Sequence, residues 1–116
     1  MEKRKLFYLE CNLAGRKYHE VNDVWQELFI GIKLQLERER DNKYDPDAIK
    51  VVYYDIDGVD YLLGYIPTEC NGDLAKFFDM GWGDIFECSI SKITPDTHYE
   101  NQIRLTITIL NKHNQE

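Results

Sequence analysis

The chain has 116 residues, 43% of them hydrophobic and 30% charged, which predicts one globular domain with a core of its own. Its 14 Lys and Arg stand against 21 Asp and Glu, a net charge of −7. That balance excludes a generic nucleic-acid coat, which binds phosphate with surplus positive charge, and three widely spaced cysteines exclude a disulfide framework.

The charge is uneven along the chain. Residues 1–19 carry Lys3, Arg4, Lys5, Arg16 and Lys17 against Glu2 and Glu10, whereas residues 20–116 hold nine cations and nineteen carboxylates. Phe7, Leu9, Cys11 and Leu13 alternate with Tyr8, Glu10 and Asn12, a period of two that predicts a strand with one buried face. The loop Ala14 to His19 offers two cations and a ring. Val21 to Phe29, with Trp25 and Leu28, fits either a turn of helix or a packed loop. Ile32, Leu34 and Leu36 alternate again and predict a second strand. Arg38 to Ile49 is the densest polar segment; Asn42, Asp45 and Pro46 are turn formers, so its plainest reading is a surface connection.

Ile49 to Tyr54 is a β-branched and aromatic run, and Tyr61 to Ile66 is another, stopped by Pro67. Asp57-Gly58 between them marks a hairpin turn. Thr68 is placed to cap a helix in which Cys70, Leu74, Phe77 and Phe78 recur at helical spacing, and Gly81 ends it. Gly72 weakens the first turn and predicts a short helix. Phe86, Cys88 and Ile90 predict a fifth strand; Ile103, Leu105, Ile107 and Ile109 predict a sixth. The fold expected is mainly β, a small six-stranded barrel with one or two short helices. Met1 to Lys3 and Lys112 to Glu116 are expected to be poorly ordered.

Most enzyme classes lack their residues. No phosphate loop, GxGxxG or GxSxG is present. Asp55, Asp57 and Asp60 lack the calcium-loop spacing, and His19, His98 and His113 are too scattered for zinc. Neither a metal nor any other cofactor is expected. Cys11 and Cys88 read as free thiols of a reducing, cytoplasmic compartment, and no apolar run is long enough to span a membrane. Cys70 near a helix start has no base beside it. A metal-dependent nuclease would use Asp45 and Asp47, but the sequence supplies no third ligand. Rings that stack on bases, with cations for phosphate, are instead the kit of a single-strand binder.

The string Leu34-x-Leu36-x-Arg38-Glu39-x-x-Asn42-x-Tyr44-Asp45-x-x-Ala48-Ile49-x-Val51, followed by Leu63-Gly64-Tyr65-Ile66-Pro67, resembles the HIRAN domain. Ala14-Gly15-x-x-Tyr18-His19 and the segment with Leu74-Ala75 fit its order, so the resemblance runs from about Phe7 to Leu110. It implies an OB-like six-stranded barrel in a single domain over 1–116, of a stand-alone bacterial kind. In the family's DNA-binding member the domain captures 3′ ends of single-stranded DNA and serves fork remodelling and repair, as an appendage on a large ATPase. The resemblance implies no such ATPase or zinc module here, and therefore no enzyme.

By the same resemblance Tyr18 and Tyr44 match rings that stack on terminal bases, Asp45 accepts from the free 3′ hydroxyl, and Asn42 contacts the terminal nucleotide. Lys17 stands where that relative has arginine, which keeps the charge and loses the bidentate fork. Tyr65 replaces a histidine near a phosphate and offers one hydrogen bond with no cation. A further stacking Phe has no match beyond Ile103 or Gln102, with Tyr99 nearby. The expected partner is a single-stranded DNA end. The alternative is a protein-interaction module on the same barrel, in which Asn42 and Asp45 merely build a turn and Tyr44 packs on the barrel. Neither reading involves a membrane.

Overall fold

All six apolar runs become strands in the computed structural model, which describes residues 5–111 apart from the Lys17 side chain. The termini expected to be poorly ordered, Met1–Lys3 and Lys112–Glu116, lie outside the described residues, as does Arg4. The strands are β1 (Lys5–Asn12), β2 (Lys33–Arg38), β3 (Ile49–Tyr54), β4 (Asp60–Tyr65), β5 (Phe86–Ile93) and β6 (Ile103–Leu110). They form one antiparallel sheet in the order β1-β6-β5-β2-β3-β4.

The outer strands β1 and β4 do not pair along their length. Ala14, just past β1, meets Tyr65 at the end of β4, and each donates its N–H to the other's carbonyl at 2.9 Å. The sheet is therefore an OB-like roll fastened at one point rather than a closed barrel. Gly64 permits this fastening, because a Cβ there would collide with the Ala14 carbonyl oxygen.

The alternation sorts most strand positions as expected, and register shifts interrupt it in β1, between Val51 and Val52 in β3 and between Ile90 and Lys92 in β5. Leu34, Ile49, Val51, Leu63, Cys88, Ile90, Ile103, Leu105 and Ile107 are buried. In β1 the register slips between Phe7 and Leu9, so Phe7 opposes Thr108 and Leu9 opposes Ile107. A bulge exchanges the two faces of a strand. Phe7 is consequently 67% exposed, and Tyr8 turns in against Phe77 and Phe86.

Val21 to Phe29 resolves into helix α1 (Val21–Val24), whose two valines are buried, and a 3-10 turn at Trp25–Glu27. Helix α2 runs over Thr68–Asp79, twelve residues despite Gly72. Thr68 is its first helical residue rather than its cap. Pro67, at φ −57° and ψ 146°, occupies the cap position, and no side chain bonds the first turn. Pro67 has a fixed φ, so the chain turns there and enters the helix one residue later. Gly81, at φ 87°, donates its N–H to the Phe78 carbonyl and ends the helix as expected. The buried face carries Asn71, Leu74 and Ala75, whereas Phe77 is 38% exposed. Leu74 is buried and Cys70 and Phe78 pack against the core, so the expected face is largely kept and is widened by Asn71 and Ala75.

Leu74, Ala75, Val21 and Val24 close one core with the inner face of the sheet. Cys11 and Cys88 lie in it as free thiols; burial pushes the Cys11 thiol up to about 12 and raises that of Cys88. Asp55, Asp57 and Gly58 form the β3–β4 hairpin tip, where Asp55 Oδ1 accepts from the Asp57 and Val59 amides. Among the described residues no helix is long and apolar enough to cross a membrane.

Candidate nucleic-acid interface

The polar segment leaves β2 at Arg38 and re-enters the sheet at Ile49. Arg38 fixes both ends of this loop. Its Nη1 donates to the Ala48 carbonyl at 3.0 Å and its Nη2 to the Pro46 carbonyl at 2.7 Å. The same guanidinium meets Asp79 at the end of α2 through Nε at 3.0 Å and Nη2 at 3.2 Å. Arg40 Nε reaches Asp79 at 2.9 Å. Hydrogen bonding to Arg38, with a smaller contribution from Arg40, holds the Asp79 carboxyl below its ordinary value.

Inside the loop, Asn42 builds a turn. Its Oδ1 accepts from the Tyr44 amide at 2.8 Å and the Asp45 amide at 2.9 Å, and its Nδ2 donates to Glu39 Oε1 at 2.7 Å. The turn thrusts out the Tyr44 ring, which is 94% exposed. It also aims Asp45 inward. Asp45 Oδ1 accepts from the Asp47 amide at 2.9 Å, and Oδ2 accepts from Asn71 Nδ2 on α2 at 2.8 Å. Each carboxylate oxygen carries a second lone pair, so Asp45 keeps capacity for another donor.

Tyr65 donates its hydroxyl hydrogen to Glu39 Oε1 at 2.8 Å. Its ring lies 5.5 Å from that of His19. Burial first, then the Glu39 carboxylate, pushes the phenol up to about 12. The Asn42 amide and, less strongly, the Tyr65 hydroxyl hold the Glu39 carboxyl below its ordinary value. The single hydrogen expected for a phosphate contact is thus committed to Glu39 in this structure.

Two cavities adjoin here. The smaller, about 230 Å³, is bounded by Asn42, Tyr44, Asp45 and Tyr65. The larger, about 580 Å³, is bounded by Tyr18, Arg16, Tyr99 and Asn101. Both are walled by Ala14 and Gly15, the residues beside the Ala14–Tyr65 bridge. The expected residues therefore divide: Asn42, Tyr44, Asp45 and Tyr65 surround one cavity, and Tyr18, 79% exposed, borders its neighbour. Lys17 lies beside Tyr18 in the 3-10 turn Arg16–Tyr18, and its side chain lies outside the described residues.

Three contributors escaped the sequence. Asn71 is 2% exposed and anchors Asp45. Its signal was available: with Leu74, Ala75 and Phe78 it falls at helical spacing, a polar residue in an apolar stripe. Glu39 joins Asn42 to Tyr65, a pairing of residues far apart in the chain. Arg16 read as a loop cation, yet it is buried with its guanidinium 5.0 Å from the Trp25 ring and 4.9 Å from the Tyr99 ring. Among the described residues no three His, Cys, Asp or Glu side chains converge as a metal site would require.

The HIRAN domain family profile matches residues 6–109. A rice (Oryza sativa subsp. japonica) Fanconi-associated nuclease 1 homolog is 36% identical over 78 residues, 67% of this chain. The chain spans 8% of that protein's length. A crystal structure of a Lactobacillus plantarum protein superposes with a TM-score of 0.73 at 21% identity, covering 95% of this chain and 99% of that one. The HIRAN domain of human HLTF superposes with a TM-score of 0.60 at 20% identity, covering 93% of this chain and 80% of that one.

Proposed function

The chain belongs to the HIRAN domain family, and on that premise we propose that it is a non-enzymatic module that binds the 3′ ends of single-stranded DNA. HIRAN domains are associated with DNA binding and occur in nuclease-like and helicase-like proteins. The observation that carries the reading is the pairing of Tyr44 with Asp45. One turn places an exposed ring at the mouth of a cavity and a carboxylate, fixed by Asn71, in its wall.

The chemistry suits an end rather than a track. An exposed ring stacks on any base. A carboxylate repels phosphate and accepts from a hydroxyl, so it selects a free 3′-OH over a 3′-phosphate or an internal nucleotide. Asn42 acts by setting the turn that presents Tyr44 and Asp45. Tyr18 stacks in the adjoining cavity, and Lys17 supplies charge. Tyr65 acts through Glu39 and Asn42, as a support for the turn.

Fluorescence anisotropy with matched 3′-OH and 3′-phosphate oligonucleotides at low salt tests this reading. The 3′-OH strand should bind at least about tenfold tighter, the discrimination of one charge-assisted hydrogen bond. Asp45→Ala should erase that preference. Equal binding of both strands by the native protein would falsify end recognition. A rival reading, a protein-interaction module, draws on the Glu39 carboxylate, which takes the Tyr65 hydrogen and adds negative charge behind the cavity. A protein ligand displaced by Tyr44→Ala, with no oligonucleotide bound, would favour it.

A further inference from the structure

Two buried polar atoms, Arg16 Nε and Gln102 Oε1, meet no hydrogen-bond partner among the described residues. Arg16 is 5% exposed and Gln102 8%. Gln102 Nε2 donates to the Pro95 carbonyl at 3.0 Å and to the Thr97 carbonyl at 3.2 Å. Both amide hydrogens are therefore spent, and two carbonyl acceptors fix which way the amide is turned. Oε1 faces away from them and lacks a donor. At Arg16, Nη2 donates to Asn22 Oδ1 at 3.0 Å. Nε–H shares that edge of the planar fork, so it is aimed to the same side as the Asn22 bond and lacks an acceptor there. A buried donor or acceptor left unpaired is unfavourable, and native folds hold few of them.

Arg16, Asn22 and Gln102 line one cavity of about 350 Å³, walled also by Trp25, Gln26 and Pro95. The lining sets the chemistry of an occupant. The guanidinium edge calls for an acceptor, and Gln102 Oε1 calls for a donor. A phosphate or carboxylate answers the first and sets its own lone pairs against the second. An amide answers both, and Trp25 and Pro95 offer apolar contact to the carbons beside it. A nucleobase carries the same pair of groups, but a strand also brings phosphates. No lysine and no second arginine lines this cavity, and the exposed Asp23 and Glu27 flank its Asn22–Gln26 wall. We propose that this cavity binds an amide group of a protein partner, from its main chain or from an Asn or Gln side chain, through Arg16 and Gln102. The occupant reaches both atoms by moving aside Gln26, an exposed member of the lining. The smaller cavity shares none of these lining residues, so the inference does not rest on end binding.

The test titrates the full chain by NMR with N-acetylglycine N-methylamide, acetamide, acetate and 1-methyluracil, following the Arg16 Nε–H resonance. The first compound stands for a main chain and the second for an Asn or Gln side chain. Acetate keeps the shape of acetamide and offers acceptors only. An amide should move the resonance saturably and bind about tenfold or more tighter than acetate, as one paired against one opposed group provides. The tighter of the two amides identifies the source. Gln102→Met removes Oε1 and should collapse the margin over acetate. Gln26→Trp, at an exposed position, should block the mouth and abolish the shift; it decides the matter should Gln102→Met not fold. Acetate bound as tightly as the amides overturns the paired site. Tightest binding by 1-methyluracil overturns the protein as the source. A resonance that neither amide moves, or one that moves equally in Gln26→Trp, overturns the site.

Discussion

At Asp45 a carboxylate is held by a buried amide rather than by a cation, and this choice leaves its charge available. Asn71→Leu removes the donor and leaves Asp45 Oδ2 facing an apolar side chain. Such a loss costs about 1–3 kcal/mol, so urea unfolding should register it. The preference for 3′-OH over 3′-phosphate should fall as well, because the freed carboxylate has more than one rotamer. The Glu39–Tyr65 pair makes the opposite use of a carboxylate and couples the site to pH. The folded state raises the Tyr65 value from 10.0 to about 12, so it holds this proton more tightly than the unfolded chain does. That stabilisation is complete below the ordinary tyrosine value and is lost as pH rises from about 10 to about 12. Glu39 has a lowered folded value, so its contribution is complete above the ordinary glutamate range and is lost on acidification below it. Tyr65→Phe should therefore flatten the alkaline decline of unfolding free energy, measured by urea titration across pH. A decline as steep as that of the native chain would count against this assignment.

At the scale of elements, the site depends on where β1 and β4 meet. Gly64→Ala places a methyl group against the Ala14 carbonyl. It should destabilise the fold by about 1–3 kcal/mol, as overpacking does. Oligonucleotide binding should weaken beyond what the unfolded fraction explains, because Ala14 and Gly15 wall both cavities. Anisotropy on the fully folded variant at low temperature separates the two effects. The strands themselves were legible in the sequence, because alternation at Leu34, Ile90, Leu105 and their neighbours is enforced by one buried face. The β1 bulge was not, since an extra residue leaves no mark in composition and inverts the face that Phe7 takes. The buried face of α2 was legible in Cys70, Leu74 and Phe78; Asn71 interrupts the apolar stripe, and only its contact with Asp45 explains a polar residue there. Tyr44 and Asp45 were picked out by motif spacing. The partners of Tyr65 and Arg16 come from contacts between distant segments, which periodicity does not encode.

For the whole molecule, a net charge of −7 means that long-range attraction to a polyanion is absent and binding must come from short contacts. The slope of log K against log salt should accordingly be shallow, about −0.7 for each phosphate engaged on a single strand. One or two contacts then give roughly −0.7 to −1.4, measured by anisotropy over a salt series. A slope several times steeper would point instead to a longer basic track along the strand. The roll is fastened by two hydrogen bonds between Ala14 and Tyr65, and both cavities straddle that seam. Any occupant that touches both sides binds only the fastened state, so occupancy and fastening are thermodynamically linked. The amide hydrogens of Ala14 and Tyr65 thereby become reporters: their exchange with solvent should slow in proportion to ligand saturation, while amides deep in β5 and β6 keep their native rates.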